Sequence, residues 1–201
     1  MAYASWVTPN KQSGSGNDTV AWTGSTHTGR NARQTTATFS ASGVDSKVLT
    51  IIQAGKPEFV DLADTASIAK GGGSVTITGT SNSSKLTFAL TGTNGIGLTL
   101  PASYLANSVS TDNGVAIAGD PGAAQEYTFS ITFTGVGENT TISELTSQLT
   151  VTTNNGETDT CDITQAAGDP YLTIEPTTIN LTAAGTAVSV SVSSNTSWTI
   201  S

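Results

Sequence analysis

A repeat of about 113 residues constrains the fold of this chain more than any other feature of its sequence. The stretch IIQAGKPEF, which begins at Ile51, returns as ITQAAGDPYL from Ile163. The prolines of the two stretches, Pro57 and Pro170, stand 113 positions apart, and so do Asn82 and Asn195. We therefore expect the match to continue beyond the prolines without a gap. Because self-similarity at a fixed period indicates a structural unit used repeatedly, the chain is predicted to consist of copies of one fold.

The repeat predicts three units of unequal completeness. Residues 57–168 hold one whole copy. Residues 1–56 match only its back half, with TATFSASGVDSKVLTIIQAG lying over SQLTVTTNNGETDTCDITQAAG. Residues 169–201 match only its front half. The sequence ASWV near the start also resembles TSWT near the end, so the first copy begins about where the third one stops.

Apolar residues alternate with Thr and Ser through the whole copy, for example along Leu86–Leu90 and Phe129–Phe133. A period of two with one apolar face is typical of half-buried antiparallel strands. The pair Asn155-Gly156 suits a tight hairpin between two of them. Several short strands without a helical period predict an all-β fold, built as tandem immunoglobulin-like β-sandwich domains.

The composition limits the partners that the chain can bind. Only 11% of the residues are charged, and 15 Asp+Glu against 7 Lys+Arg give a net charge of −8. Nucleic acid and anionic membrane surfaces both require basic patches, so we expect neither as a partner. No apolar run of the sequence approaches the length of a membrane span. A single cysteine excludes an internal disulfide, so packed sheets must supply the stability.

With these motifs in view, the chain resembles the BACON domain, an immunoglobulin-like module of gut Bacteroidetes and of their crAss-like bacteriophages. The front half of that signature is present as VSVSSNTSWTIS, and the back half as WVTPNKQSGSGNDTV, HTGRNARQTTATF and LTIIQAG. The resemblance implies an immunoglobulin-like module without catalytic activity, which binds carbohydrate or mucin or serves as a spacer. The middle copy departs from the pattern, because Lys85 stands where the signature has Trp.

The middle copy also contains a Gly-rich, mildly apolar insertion at residues 92–126. A loop of this length within a compact domain is usually functional or packed on something. Two alternatives remain open at this point. The insertion is either a contact element, which presents residues such as Tyr104 and Leu105 to a partner, or a segment that folds back to widen its own sandwich.

The one basic cluster of this acidic chain consists of His27, Arg30 and Arg33. One interpretation is a docking patch for an acidic partner. The other is that the long side chains cover the edge of their own strand. A lone histidine offers no metal site.

Aromatic side chains give a second candidate for binding. Trp6, Trp22 and Trp198 all lie outside the complete copy. Exposed aromatic faces can stack on sugar rings, and Trp6 and Trp22 are therefore candidate glycan-stacking residues. The alternative is that these side chains belong to the cores of their sandwiches.

No catalytic or metal-binding grouping is recognisable in the sequence. Ser67–Lys70 has the S-x-x-K spelling of penicillin-recognising enzymes, but it lies in a strand-like run, where the two side chains point to opposite faces. Cys161 aligns with Leu49 and is interpreted as a core residue. The insertion's carboxylates lack the spacing of a calcium loop and are interpreted as solvated charges or contact residues (Asp112, Asp120 and Glu126). We therefore expect no enzyme and no cofactor.

Two non-enzymatic functions fit these observations. The first is a structural protein of a phage particle, as a head fibre or a capsid or tail accessory, with capsid or other virion proteins and further copies of itself as partners. The second is a carbohydrate-binding, mucin-binding or spacer module of a Bacteroidetes surface or secreted protein. The start MAYASWVTPNKQ has neither a basic nor an apolar signal region, which favours a virion protein assembled in the host cytoplasm over an exported one.

The ends of the sequence raise a question about completion. A strand is expected to open on Trp198, close to the end of SSNTSWTIS. A strand without neighbours leaves its backbone groups unpaired. For the third unit we expect first that a longer chain continues it. For the first unit we expect completion by another chain, with closure of the two ends around the middle copy as a third route.

Overall fold

The computed structural model describes residues 3–201, and over these residues the chain is all-β. It contains fifteen strands and, within the described range, no helix, so the predicted class is confirmed. The strands are β1 (Val7–Pro9), β2 (Trp22–Gly24), β3 (Arg33–Phe39), β4 (Lys47–Gln53), β5 (Val60–Leu62), β6 (Thr65–Ile68), β7 (Gly73–Ser81), β8 (Leu86–Thr91), β9 (Ser103–Ala106), β10 (Val109–Asp112), β11 (Tyr127–Val136), β12 (Leu145–Thr153), β13 (Thr158–Gln165), β14 (Leu172–Glu175) and β15 (Ser191–Ser194).

Residues 57–168 form two sheets that share one apolar core, and we call this part the central sandwich. The first sheet has the strand order β10-β9-β11-β7-β5, and the second has the order β6-β13-β12-β8. Neighbouring strands are antiparallel except β6, which runs parallel to β13. The arrangement is a β-sandwich in which each sheet buries one face against the other.

The core is built from alternate positions of the strands, as the period of two predicts. Burial alternates along most of β11 and β12, with Thr and Ser at most of the outward positions. Complete burial of one large apolar side chain contributes about 1.5–3 kcal/mol. The largest fully buried apolar side chains come from both sheets and are Phe88, Phe133, Ile77, Leu86, Ile131, Leu149, Ile163 and Val151.

The insertion at residues 92–126 folds back onto the central sandwich. Its strands β9 and β10 form a hairpin, and β9 pairs with β11, so the hairpin extends the first sheet. Leu98, Tyr104 and Ile117 are buried in the shared core. The second sequence-based alternative, a widening of its own sandwich, therefore describes this structure.

The parts on either side of the central sandwich are open hairpins. The N-terminal segment, residues 3–56, has the two-stranded sheets β1-β2 and β3-β4, and the C-terminal segment, residues 169–201, has the two-stranded sheet β14-β15. The predicted unit 1–56 is thus described from Tyr3 onward, and its first two residues lie outside the described range. In the N-terminal segment Val7 on β1 and Ala37 on β3 are buried, whereas most apolar side chains of β4 are exposed, and within residues 169–201 the sole sheet is β14-β15.

The repeat of the sequence is also a repeat of strand register. Gln53 pairs with Arg33 at one end of the β3–β4 hairpin, and Gln165 pairs with Leu145 at the matching end of the β12–β13 hairpin. Every pair along the two hairpins keeps the same spacing of 112 positions. The two hairpins are therefore equivalent elements in two copies of one unit.

Asn82, which is buried, and Asn195, which is half-buried, make the same hydrogen bond in the front half of the unit. Oδ1 of Asn82 accepts a hydrogen bond from the backbone N–H of Phe59 at 2.8 Å, and Oδ1 of Asn195 accepts one from that of Tyr171 at 3.0 Å. The asparagines stand 113 positions apart but their donors only 112. The expected gap-free match is wrong in this stretch, since the C-terminal copy has one additional residue between the donor and the asparagine.

The structure also corrects the strand expected to open on Trp198. β15 covers only Ser191–Ser194, and Trp198 lies outside any strand. Residues 186–190 correspond to residues 73–77 of β7 in the central sandwich. Those residues pair with β11 alone, because β5 pairs only with the last three residues of β7. The described C-terminal segment holds no counterpart of β11. Backbone without a partner gains nothing from extending into a strand, so the strand stays short.

We predict that replacing Asn82 by Ala lowers the free energy of unfolding of the central sandwich by about 2–4 kcal/mol. Asn82 is fully buried, and its Nδ2 also donates to the carbonyls of Pro57 and Ala123, each at 3.0 Å, so the substitution leaves three backbone groups without this partner, of which the Ala123 carbonyl is buried and the other two are partly buried. Asn195→Ala removes equivalent bonds at a solvent-accessible site and should cost less than about 1 kcal/mol. Urea denaturation followed by circular dichroism measures both values, and equal losses would contradict the argument.

Candidate functional site at the Arg30 junction

Arg30 lies in the loop between β2 and β3, and contacts to the backbone of this loop fix its position. Nε2 of His27 lies 2.7 Å from the carbonyl oxygen of Asn31. In the equivalent loop of the central sandwich, Nδ2 of Asn139 donates to the carbonyl of Ser143 at 2.8 Å. His27 and Asn139 thus fasten the same loop in two copies. His27 is a structural residue of its own segment in this arrangement, rather than a free docking group.

A close backbone contact fixes the other side of the loop. The N–H of Lys56 donates to the carbonyl of Gly29 at 2.8 Å. A Cβ placed on Gly55 would lie 1.9 Å from the carbonyl oxygen of Arg30, so only glycine permits this approach. The glycine of the closing Q-A-G motif therefore positions the basic loop against the start of the central sandwich.

Arg30 reaches out of the N-terminal segment and contacts three groups of the central sandwich. Its Nη1 and Nη2 donate to the two carboxylate oxygens of Asp120 at 2.6 and 2.7 Å. Nη2 also donates to the carbonyl of Asn82 at 2.7 Å. Nε lies 2.9 Å from Oε1 of Glu58, which makes an ion pair. We call these four residues the Arg30 junction.

Glu58 gives the junction a buried charge. Its side chain is almost fully buried, and a buried carboxylate is costly unless charged or polar groups face it. Oε2 accepts from the hydroxyl of Ser83 at 2.9 Å and from the N–H of Asn155 at 3.1 Å. Arg30 supplies the cationic partner from the neighbouring segment. The N-terminal segment therefore neutralises a charge inside the central sandwich.

Asp120 supplies the more exposed anionic partner. The hydrogen bonds from Arg30 lower the pKa of the Asp120 carboxyl, and those same bonds raise the pKa of the Arg30 guanidinium. The N–H of Gly122 also donates to Oδ1 of Asp120 at 2.9 Å. A bidentate arginine–carboxylate pair fixes orientation as well as distance. Asp120, one of the three insertion carboxylates, is therefore a contact residue of the neighbouring segment.

Arg33 stays within its own segment. Its Nε donates to Oε1 of Gln53 at 2.9 Å, and its guanidinium carbon lies 4.5 Å from the ring centroid of Trp6. Nη2 also donates to the carbonyl of Ser25 at 2.8 Å. These contacts fit the second interpretation of the basic cluster, in which the long side chain covers its own strand. One face of the Trp6 ring lies against this cation, and glycan stacking at Trp6 stays a prediction.

The glutamines of the two Q-A motifs make the same bond in both copies. Nε2 of Gln53 donates to the carbonyl of Ser25 at 2.9 Å, and Nε2 of Gln165 donates to that of Gly137 at 2.7 Å. We expect buried amides at both positions, because both share strand parity with core residues. This is confirmed for Gln165, whereas Gln53 is only half-buried.

The two candidate contact residues of the insertion lie on opposite faces of β9. Tyr104 is buried, and this burial raises its pKa. Its side chain therefore has no surface to offer to a partner, which corrects the first of the two expectations. Leu105 is exposed and lines a shallow surface with Thr128 and Ser130. A partner contact at Leu105 stays a prediction.

Trp22 borders a cleft of about 580 Å³ in the N-terminal segment. The cleft lies between the β1–β2 hairpin and β3, and Phe39 and Ala37 form its β3 side. The ring of Tyr3 packs edge-on against that of Trp22, with centroids 5.2 Å apart. The cleft is the space between the two hairpins of the N-terminal segment, and glycan stacking there stays a prediction.

The remaining candidate groups do not converge. Within residues 3–201, no three His, Cys, Asp or Glu side chains approach each other closely enough to hold a metal ion, and this includes Asp112, Asp120 and Glu126. Lys70 pairs with Asp169 of the C-terminal segment. The part of the chain that the structure describes contains no helix long and apolar enough to cross a membrane. Chemically, the Arg30 junction can hold the N-terminal segment and the central sandwich together through ion pairs.

Sequence reasoning missed Glu58, Asn82 and Ser83, although all three belong to or support the junction. One signal is available in the sequence. Residues 1–57 contain no glutamate, and Glu58 stands directly beyond the boundary between two copies. A carboxylate at such a boundary, with a basic cluster in the preceding unit, favours an ion pair across it.

We predict that Arg30 and Asp120 are energetically coupled, by about 0.5–1.5 kcal/mol for this partly exposed pair. A double-mutant cycle with Arg30→Ala and Asp120→Asn measures the coupling. Arg33→Ala is the matched control, because Arg33 has no contact with Asp120, and its effect should add to that of Asp120→Asn without coupling.

The same pair predicts a dependence on pH. Because Arg30 lowers the pKa of Asp120, the stabilisation is complete above the ordinary Asp value of about 3.9 and is lost as the pH falls through the lowered folded-state value. Thermal unfolding at pH 7 and near pH 2 should therefore show a smaller acid loss for Asp120→Asn than for the natural chain. An identical loss would refute the assignment.

Cys161 should be inert in the folded protein. It is fully buried, and burial raises the pKa of its thiol to about 11, so hardly any thiolate exists near pH 8. We expect iodoacetamide to label it only after unfolding in urea, as read by intact mass. Rapid labelling of the native chain would contradict its role as a core residue.

Comparison with known proteins adds no relative to this description. The chain matches no protein-family model, and no curated protein matches it. The resemblance to the BACON domain therefore stays an expectation that rests on the quoted motifs. What the described structure contributes is the sandwich, the repeated register and the Arg30 junction.

Proposed function

We propose that this chain is a non-enzymatic structural protein of a phage particle, such as a head fibre or a capsid or tail accessory. In this role immunoglobulin-like, BACON-like sandwich units act as spacers and contact modules. The order of the BACON-like motifs along the chain supports the phage or Bacteroidetes setting. The partners are capsid or other virion proteins and further copies of the chain.

The observation that carries the proposal is the set of ion pairs and hydrogen bonds that Arg30 makes at the Arg30 junction. Arg30 directs its guanidinium to Asp120, Asn82 and Glu58 of the neighbouring unit, and the loop that bears it is held by His27 and Gly55. A bidentate pair combined with a buried carboxylate restrains the angle between two units. Restrained angles between successive units are what a spacer requires.

A second candidate function, glycan binding, is supported by one feature. The cleft beside Trp22 combines an aromatic ring with polar neighbours such as Lys11 and Asp18. Aromatic rings flanked by hydrogen-bonding groups are a common arrangement for sugars. In this case the chain is a mucin-binding or spacer module of a bacterial surface protein.

The location of the protein distinguishes the virion function from the function at the bacterial surface. Density-gradient fractions from cultures that produce this protein are analysed by mass spectrometry, and intact particles are labelled with gold-conjugated antibody. We expect the protein in the particle fraction, at a fixed ratio to the capsid protein and with gold on the particles. Recovery in the bacterial surface fraction, with none in particles, would overturn the virion proposal.

Binding of purified mucin tests the second candidate directly. Titration calorimetry compares the natural chain with Trp22→Ala, and Trp198→Ala serves as the matched control outside the cleft. A glycan function requires binding that Trp22→Ala weakens and Trp198→Ala leaves unchanged. Absence of binding in the natural chain would remove this candidate.

A further inference from the structure

The two outer segments expose apolar faces that the central sandwich buries. Val190 of the C-terminal segment is 38% exposed, whereas its counterpart Ile77 is 1% exposed. Leu181 is 64% exposed, and its counterpart Ile68, at the same distance before the Gly-containing turn, is 4% exposed. Val190 and Leu181 are thus apolar at positions that are buried in the central sandwich, but in the described C-terminal segment no second layer covers them.

The N-terminal segment shows the complementary face. Leu49 on β4 is 38% exposed, whereas its counterpart Cys161 on β13 is 0% exposed. Phe39 on β3 is 45% exposed, and its counterpart Val151 on β12 is again 0%. In the central sandwich, these buried counterparts pack in the same core as Ile77 and Ile68. Leu181, Leu49 and Phe39 therefore correspond to one layer of the sandwich, the sheet β6-β13-β12-β8, and Val190 corresponds to the other layer.

Free strand edges match in the same way. Among the described strands, β13 is flanked by β12 and β6, but its counterpart β4 is flanked by β3 alone. The last residues of β11 pair with β7, but β2, their counterpart, pairs with β1 alone and has no strand in the place of β7. The C-terminal segment contains the counterparts of β6 and β7, in residues 178–181 and 186–194. Each segment therefore holds the strands that the other lacks at its edges.

Charge also favours contact between the two segments. Residues 1–56 contain five Lys and Arg against two Asp, a balance of +3. Residues 169–201 contain Asp169 and Glu175 and no Lys or Arg, a balance of −2. Within a chain of net charge −8, the N-terminal segment is the one basic part, and opposite charges steer association.

The geometry of the central sandwich keeps the two segments of one chain apart. The N-terminal segment contacts Asn82, directly after β7. The C-terminal segment contacts the loop after β11, where Nδ2 of Asn195 donates to the carbonyl of Thr140 at 3.1 Å. β7 and β11 are antiparallel, so these loops lie at opposite ends of the sheet, about 27 Å apart along nine residues of strand.

We propose that the C-terminal segment of one copy docks on the N-terminal segment of a second copy, and that the two together form a composite sandwich with the strand arrangement of residues 57–168. Residues 178–181 add as a parallel strand to β4, and residues 186–194 add to the β2 strand. The contact is heterologous, so it repeats from copy to copy and produces an open filament or a ring. The inference rests on the repeat and the open faces and does not depend on the virion assignment.

Sedimentation velocity of the 201-residue chain, from about 1 to about 200 µM, tests the proposal. We expect the mean mass to rise with concentration through dimers to larger assemblies. Val190→Asp on the inward face of the C-terminal segment should weaken association at least about tenfold, because it places a charge in the composite core. Ser189→Asp, on the outward face of the same stretch, is the matched control and should leave association unchanged.

A mixing experiment tests the head-to-tail direction. Leu49→Asp blocks the N-terminal face and leaves the C-terminal face intact, and Val190→Asp does the reverse. Each variant alone should stay monomeric, whereas an equimolar mixture should stop at a dimer that contains one of each. Circular dichroism of each variant checks that the central sandwich, which contains neither position, remains folded.

Three results would overturn the proposal. The first is a natural chain that stays monomeric at the highest concentration, as expected if a further part of a longer chain or a different protein covers these faces. The second is an equal effect of Val190→Asp and Ser189→Asp. The third is a mixture of the two variants that forms no dimer.

Discussion

Side-chain amides that bind loop backbone are the interaction on which the rest of this structure depends. A chain with no helix in its described range must satisfy many backbone groups outside its sheets, and buried groups left unpaired are costly. Asn82, Asn139 and Gln165 each satisfy two or more such groups from a buried position. The loops that they hold are the places where successive units meet. The same interaction therefore shapes the single unit and the junction between units.

Pairing decides which parts of the sequence become strands. The apolar alternation of residues 186–192 is as regular as that of β7, yet only its end is a strand. In β7 the equivalent residues have β11 beside them, whereas in the described C-terminal segment residues 186–190 have no neighbouring strand. Strand propensity therefore acts only where a partner strand accepts the hydrogen bonds. The same rule explains why β2 is a short strand, although it corresponds to the end of the long strand β11.

The class and the repeat could be predicted from the sequence because both follow from local patterns. Alternation locates the buried faces of β11 and β12, and the shared Q-A motif aligns β4 with β13. The Arg30 junction could be predicted only in part. Arg30 is recognisable as a charged candidate, but its partner Asp120 lies 90 positions away in an insertion without a counterpart in the repeat. Long-range pairing of this kind depends on the fold and leaves no periodic signal.

The distribution of tryptophan has an optical consequence. The central sandwich has no Trp, whereas the N-terminal segment has Trp6 and Trp22 and the C-terminal segment has Trp198. Indole emission, excited selectively at the red edge of aromatic absorption, therefore reports only on the two outer segments and is silent about the middle of the molecule. Trp198 is half-exposed and Trp6 lies against a guanidinium, so their spectra differ in solvent contact. The natural chain thus carries its own spectroscopic label on the two parts whose surroundings are open.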